Sequence, residues 1–319
     1  MTDGSEHAAR KIRVIWNPSS GYKMGITTNP ASEEDLRAVM ARHGLGNDLV
    51  VSTDAEAAIE RVKEAMAAEY DIVVAAGGDG TVASTATQLL HTRTALGILP
   101  FGSVMNVARM FGIPRDLDAA AAIIGGGITR TVDVAEANGV PFYEAGAVGL
   151  GAELLDEANR IDHGDYMGII RSVLTLFRYR HAPMRIFLDD RTISTGAIAV
   201  TIANGPYLGL AYTIAPDAAL DDGKLDVSIY DGFTRLQLVR YFASIAFGRQ
   251  RYSRKVETHQ SRYVRIEARR RPIPCRISDI DFGTTPVTFT VRKAALRVIV
   301  PETSHIEGPA PGTADKLPE

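Results

Sequence analysis

Cysteine is almost missing from this chain. Cys275 is the only one in 319 residues, which excludes an internal disulfide framework and any zinc site built from cysteines. Long apolar runs are missing too, since none approaches the roughly 18 residues that a membrane-spanning helix needs. Met1 to Lys11 is polar and carries no apolar core of the secretion-signal kind. Those absences set the expectation of a cytoplasmic protein. An excess of one charge sign is also absent. The formal net charge is −3 and the pI about 6.2, so no basic footprint points to a nucleic-acid partner. With 45% hydrophobic and 23% charged residues, the chain is long and apolar enough for two globular domains.

Glycine, by contrast, is concentrated where it matters. Asp71-Ile72-Val73-Val74 reads as a buried strand, Ala75-Ala76-Gly77-Gly78-Asp79-Gly80-Thr81 as a loop, and Val82 to Leu90 as a helix. Strand, glycine loop and helix aim backbone N–H groups at an anion, and glycine lets phosphate oxygens approach the backbone closely. Asp79 would repel phosphate unless a divalent cation stood between them, so the loop suggests metal-linked phosphate chemistry. There is no Walker A pattern, and no GxGxxG fingerprint in this loop.

Other strand ends add candidates. Lys11 to Trp16 reads as a first strand, followed by the polar turn Asn17-Pro18-Ser19-Ser20-Gly21, either a plain loop or a second lip of a nucleotide site. Asp48 to Ser52 reads as strand two. Thr53 reads as the cap of the next helix, with its hydroxyl also a candidate nucleotide contact. Ala95 to Ser103 is another strand and turn, with Ser103 and Asn106 opening a helix. This alternation predicts a parallel sheet covered on both faces. After Gly125-Gly126-Gly127 the pattern becomes a succession of strands, among them Phe142 to Leu150, Thr192 to Ala203 and Arg262 to Ala268, with helices near Tyr166 to Arg180 and Arg235 to Phe247. The expected division is residues 1–130 as an α/β domain, with 295–302 as a candidate return to it, residues 131–294 as an antiparallel β domain, and 303–319 as a flexible tail.

In order, Asn17-Pro18-Ser19-Ser20-Gly21, Gly77-Gly78-Asp79-Gly80-Thr81, Gly97 to Ser103, Gly112-Ile113-Pro114, Val132-Asp133-Val134, Asn204-Gly205-Pro206 and Asp221-Asp222-Gly223-Lys224 resemble the diacylglycerol kinase/sphingosine kinase family of soluble lipid kinases, from about residue 11 to 300. GGDGT alone is shared with NAD kinases and phosphofructokinases. The resemblance implies an α/β first domain of the NAD kinase/diacylglycerol kinase type, a β-sandwich second domain, and transfer of the γ-phosphoryl of ATP to a lipid hydroxyl. It also implies ATP contacts from Asn17, Thr53, Gly78 to Thr81 and Ser103, and a magnesium site made by Asp222 with the carbonyls of Ala219 and Lys224. A carboxylate with carbonyls is sound hard-cation ligation, although Asp-Asp-Gly is also an ordinary turn.

Two departures stand out. Where the family has Asp-Gly-Glu, this chain has Asp279-Ile280-Asp281, which puts Asp279 and Asp281 forward as the catalytic carboxylates on one face of a strand. Met105-Asn106 stands where many members carry Asn-Asp. These departures motivate an alternative, a member that binds nucleotide or lipid without turnover; a NAD kinase-like enzyme is a further rival. The arginine-rich stretch Arg249 to Arg271, with Tyr252 and Tyr263, reads either as a peripheral membrane contact or as a solvated hairpin. The expected partners are ATP and a hydroxylated lipid, and a homodimer stays open.

Overall fold

A computed structural model describes residues 10–20, 22–23, 26–27, 32–102, 104–162, 167–178, 181–208, 212–234, 236–237, 240–241, 255–278 and 280–302. The chain forms two compact units. The first runs to Val132 and resumes at Ala295; the second is Asp133–Ala294.

The first unit contains β1 (Ile12–Trp16), β2 (Tyr22–Lys23), β3 (Ile26–Thr27), α1 (Glu33–Arg42), β4 (Leu49–Val51), α2 (Ala55–Ala67), β5 (Ile72–Gly77), α3 (Asp79–Gln88), β6 (Ala95–Pro100), α4 (Asn106–Met110) and α5 (Leu117–Gly126). β5 and β6 are buried at every position, as strands covered on both faces require. The sheet order is β6-β5-β1-β4 with all neighbours parallel. Chain order therefore reverses direction between β1 and β5, and the carboxyl ends of those two strands flank the switch point.

Local sequence sets the helix starts. Ser32 and Asp35 form a reciprocal capping box on α1. At α2 the expectation is corrected: the cap is Asp54, whose carboxylate accepts from Ala57 N at 2.8 Å, and Thr53 stands one residue earlier. Asp wins because its carboxylate reaches the third amide while Thr53 Oγ1 donates to Asp54 Oδ2 at 3.2 Å. α5 continues through Gly125 and Gly126 and stops at Gly127, whose φ of +73° suits a left-handed helix end.

The second unit contains β7 (Thr129–Ala137, entering from the first), β8 (Val140–Phe142), β9 (Ala145–Gly149), α6 (Leu150–Asp162), α7 (Met167–Arg178), β10 (Met184–Phe187), β11 (Thr192–Thr195), β12 (Ala199–Ala203), β13 (Tyr207–Leu208), β14 (Tyr212–Thr213), β15 (Leu225–Tyr230), β16 (Val256–Ser261), β17 (Tyr263–Ala268), β18 (Pro274–Ile277), β19 (Ile280–Thr284) and β20 (Val287–Ile299). One sheet runs β11-β10-β17-β20, with β7 also on β20 and β8 on β7; the other runs β16-β15-β12-β9-β18-β19. Their facing side chains, among them Met184, Ile186, Val264, Ile266, Val200, Ile202, Val227 and Phe289, make one core. Gly146 of β9 is required there, because a Cβ would stand 2.7 Å from the Phe289 ring.

Two strand expectations are revised. Thr192 to Ala203 is two strands, because the chain leaves β11 and crosses to the other sheet around Gly196. Phe142 to Leu150 divides into β8 and β9, and its last residue opens α6. β20 is a single strand: its first half pairs with β17, and Val298 pairs in parallel with Leu96 of β6 in the first unit. The helix expected over Arg235 to Phe247 lies largely outside the described residues. Among the described residues, no helix is long and apolar enough to cross a membrane.

Candidate active site

In the first unit the switch point gathers several of the sequence candidates. Asn17 follows β1, its N–H donating to Ala76 O at 2.9 Å, and its side-chain amide lies 3.5 Å from Thr81 Oγ1. Ser19 N donates to Asn17 Oδ1 at 2.9 Å, which folds the turn back on itself; Pro18 and Ser19 are exposed. Gly78 is the cap of α3, and Asp79, Gly80 and Thr81 form its first turn. Gly77 has no room for a side chain, since a Cβ would stand 2.5 Å from Thr81 Cβ. Gly102 is also crowded: a Cβ there would be 2.7 Å from Met105 Sδ and 2.9 Å from Gly78 Cα. Gly80 is different, for a Cβ would meet nothing within 4 Å. Among the described residues no atom accounts for glycine at that position, and it borders open space beside the α3 amides.

Asp79 has a structural partner. Its Oδ1 accepts from Val107 N in the first turn of α4 at 3.0 Å, so the carboxylate ties the β5 loop to the β6 loop. Asn106 is buried beside that contact. Thr53 is exposed at the end of β4. Gly21, Ser103 and Asp279 lie outside the described residues.

In the second unit Asp222, Gly223 and Lys224 form a tight turn before β15, with Lys224 N donating to Asp222 Oδ1 at 2.9 Å and Gly223 at φ +73°. Ala219 precedes it. Asp133, absent from the sequence candidates though present in the Val-Asp-Val run, holds this turn. Its buried carboxylate accepts from Gly223 N at 2.5 Å and from Ala294 N at 2.7 Å. Asp222 is pushed above the usual carboxylate range, chiefly by burial. Burial and the neighbouring Asp222 and Asp217 push Asp226 up to about 6 against the Gln260 amide that favours its ionised form. Accumulated carboxylates around this turn suit a hard cation, which would relieve that repulsion. Among the described residues, no cluster of three or more His, Cys, Asp and Glu side chains has metal-holding geometry, so the fit rests on a carboxylate with carbonyl oxygens.

Of the expected carboxylate pair Asp279 and Asp281, only Asp281 is among the described residues. β18 ends at Ile277 and β19 begins at Ile280, these two residues pair directly, and β19 carries Asp281. Asp281 is exposed, accepts from Gly283 N at 2.9 Å, and stands in register opposite Arg276. Arg276 is buried and ion-paired to Asp156 of α6 at 2.7 Å. No sequence spacing announces that contact, 120 residues apart.

A parallel α/β unit with a glycine loop at its switch point and an antiparallel β-sandwich define a class of two-domain proteins, the NAD kinase/diacylglycerol kinase-like fold. Comparison with known proteins narrows the class. Residues 11–137 match the diacylglycerol kinase catalytic domain, and residues 147–300 match the YegS C-terminal NAD kinase beta sandwich-like domain. A diacylglycerol kinase of Mycobacterium tuberculosis (strain ATCC 25618 / H37Rv) is 30% identical over 305 residues, 92% of this chain and 96% of that protein. A diacylglycerol kinase of Bacillus subtilis (strain 168) is 27% identical over 240 residues, 72% of this chain and 77% of that protein. The crystal structure of a Bacillus anthracis diacylglycerol kinase shares the fold, with a TM-score of 0.68 at 20% identity over 92% of this chain and 98% of that one. The chain belongs to the diacylglycerol kinase family of lipid kinases.

Proposed function

We propose that this protein is an ATP-dependent lipid kinase that transfers the γ-phosphoryl group to the hydroxyl of a lipid of the diacylglycerol type. The observation that carries the reading is the unexplained space at Gly80, beside the first-turn amides of α3 at the switch point of a parallel sheet. In this reading the α3 amides, Asn17 and Thr81 hold the phosphates, with Gly21, Thr53 and Ser103 as further contacts. Asp281 accepts the proton of the lipid hydroxyl, and Asp279 supports it. Asp79 orients a magnesium ion carried in with ATP, whose contribution is to neutralise phosphate charge. Asp222, with the carbonyls of Ala219 and Lys224, holds a second, structural magnesium ion. Most of the catalytic work is positioning and charge neutralisation.

Calorimetric titration with ATP and magnesium tests the carrying observation. Wild type is expected to bind and Asp79→Ala to bind at least tenfold more weakly. Wild-type protein that binds neither ATP nor another nucleoside triphosphate would sink the reading of the loop. Nucleotide bound but never turned over on any hydroxylated lipid would favour a binding protein that has lost catalysis, the reading prompted by Asp279-Ile280-Asp281.

A further inference from the structure

In the second unit, the sheet β11-β10-β17-β20 turns one face to the sandwich core. Met184 and Ile186 of β10 and Val264 and Ile266 of β17 are fully buried on that face. Side chains alternate along a strand, and directly paired residues share a side. The other face therefore carries Arg185 of β10 with Tyr263, Arg265 and Glu267 of β17, Arg185 pairing in register with Glu267. The same alternation continues to Arg269, whose N–H donates to Pro183 O at 2.9 Å, and Arg270 and Arg271 follow it. Glu267 is committed to Arg265 at 2.8 Å. Arg185, Arg269, Arg270 and Arg271 are all exposed, and among the described residues none of them has an acid within ion-pairing reach. Tyr263, 37% exposed, adds an amphipathic ring on the same face.

We propose that this face docks the protein on an anionic phospholipid bilayer. The inference rests on the lipid-kinase reading in naming a bilayer as the occupant. The charge itself is independent of that reading: four uncompensated arginines gather at one end of one sheet in a chain whose net charge is −3. No described helix is long and apolar enough to cross a membrane, and a surface is the means left to these elements for meeting a lipid substrate. Charge complementarity selects anionic headgroups. An arginine near such a surface contributes about fivefold in partitioning, and the attraction fades within a Debye length of roughly 10 Å at 0.1 M salt.

The test is co-sedimentation of the full chain with vesicles of phosphatidylcholine alone and of phosphatidylcholine mixed with phosphatidylglycerol. The quadruple variant Arg185→Gln, Arg269→Gln, Arg270→Gln, Arg271→Gln is compared with a charge-matched control, Arg37→Gln, Arg42→Gln, Arg61→Gln, Lys63→Gln on α1 and α2. Wild type should bind only the anionic vesicles, less at high salt. The face variant should lose about six hundredfold, and the control should lose little. Equal loss in both variants, undiminished binding by the face variant, or no binding by wild type overturns the proposal. So does a single-stranded oligonucleotide bound through these arginines when the vesicles are not. Turnover of a short-chain, water-soluble lipid should be the same in the face variant as in wild type. If no such lipid turns over while vesicle binding behaves as expected, the kinase reading fails and the docking face stands.

Discussion

Gly80→Ala and Gly77→Ala separate a glycine kept for the fold from one kept for a ligand. At Gly77 the added Cβ lands 2.5 Å from Thr81 Cβ and 2.6 Å from its Oγ1, more than 1 Å inside ordinary contact. The α3 turn has to shift, and overpacking of this kind costs about 1–3 kcal/mol. At Gly80 the added methyl meets no atom of the described residues, and alanine in a helix is better than glycine by up to about 1 kcal/mol. Gly80→Ala is therefore expected to leave stability unchanged or slightly raised. If phosphate oxygens approach the backbone at this turn, the methyl occupies their path, and ATP affinity should fall at least tenfold, about 1.4 kcal/mol. Urea unfolding gives the stability and calorimetric titration with ATP and magnesium gives the affinity. Gly80→Ala that binds ATP as wild type does would refute the reasoning. A loss of stability as large as that of Gly77→Ala would refute the geometry on which it stands.

Asp133→Asn should destabilise the second unit by about 3 kcal/mol, because one of two charge-assisted bonds is lost and a buried N–H faces an amide NH₂; a change under about 0.5 kcal/mol in urea unfolding followed by circular dichroism would contradict the clamp. Cys275 is buried, and its thiol is pushed up to about 12 by that burial with the Asp281 charge adding to it, so it should resist iodoacetamide at neutral pH until denaturant is added. Burial acts to raise Asp48, but hydrogen bonds from Tyr70 and Arg13 win and hold its carboxyl below the ordinary value. A depressed carboxylate contributes stability above its unfolded pKa of about 3.9 and loses it as pH falls through the lower folded value, so Asp48→Asn should flatten the acid limb of a stability–pH curve below about pH 4.

Much of the first unit is legible in sequence because its signals are local. Fully apolar runs such as Ile72 to Ala76, each followed by a glycine turn and a helix, announce a covered parallel sheet, and the loop that ends β5 marks its own site. The second unit is less legible. β16, Val-Glu-Thr-His-Gln-Ser, is a polar edge strand with little hydrophobic alternation to betray it. α6 follows β9 with no break, so a helix begins where the strand pattern was expected to end. Of the site residues, Asn17, Gly77 and Thr81 come together through adjacent strand ends, which topology predicts. The Asp133 clamp on Gly223 and Ala294 and the Arg276–Asp156 pair join residues 90 to 161 apart, and nothing in their spacing foretells them.

The most direct test of the kinase account is transfer of label from γ-³²P-ATP to diacylglycerol in mixed micelles with magnesium, read in the lipid extract. The account predicts labelled phosphatidic acid with wild type, and a loss of at least a hundredfold in Asp281→Asn with ATP binding kept, in the range general-base removal costs. Label in lipid undiminished by Asp281→Asn would remove that residue from the chemistry. Label that never enters a hydroxylated lipid, from protein that binds ATP, would contradict the account itself.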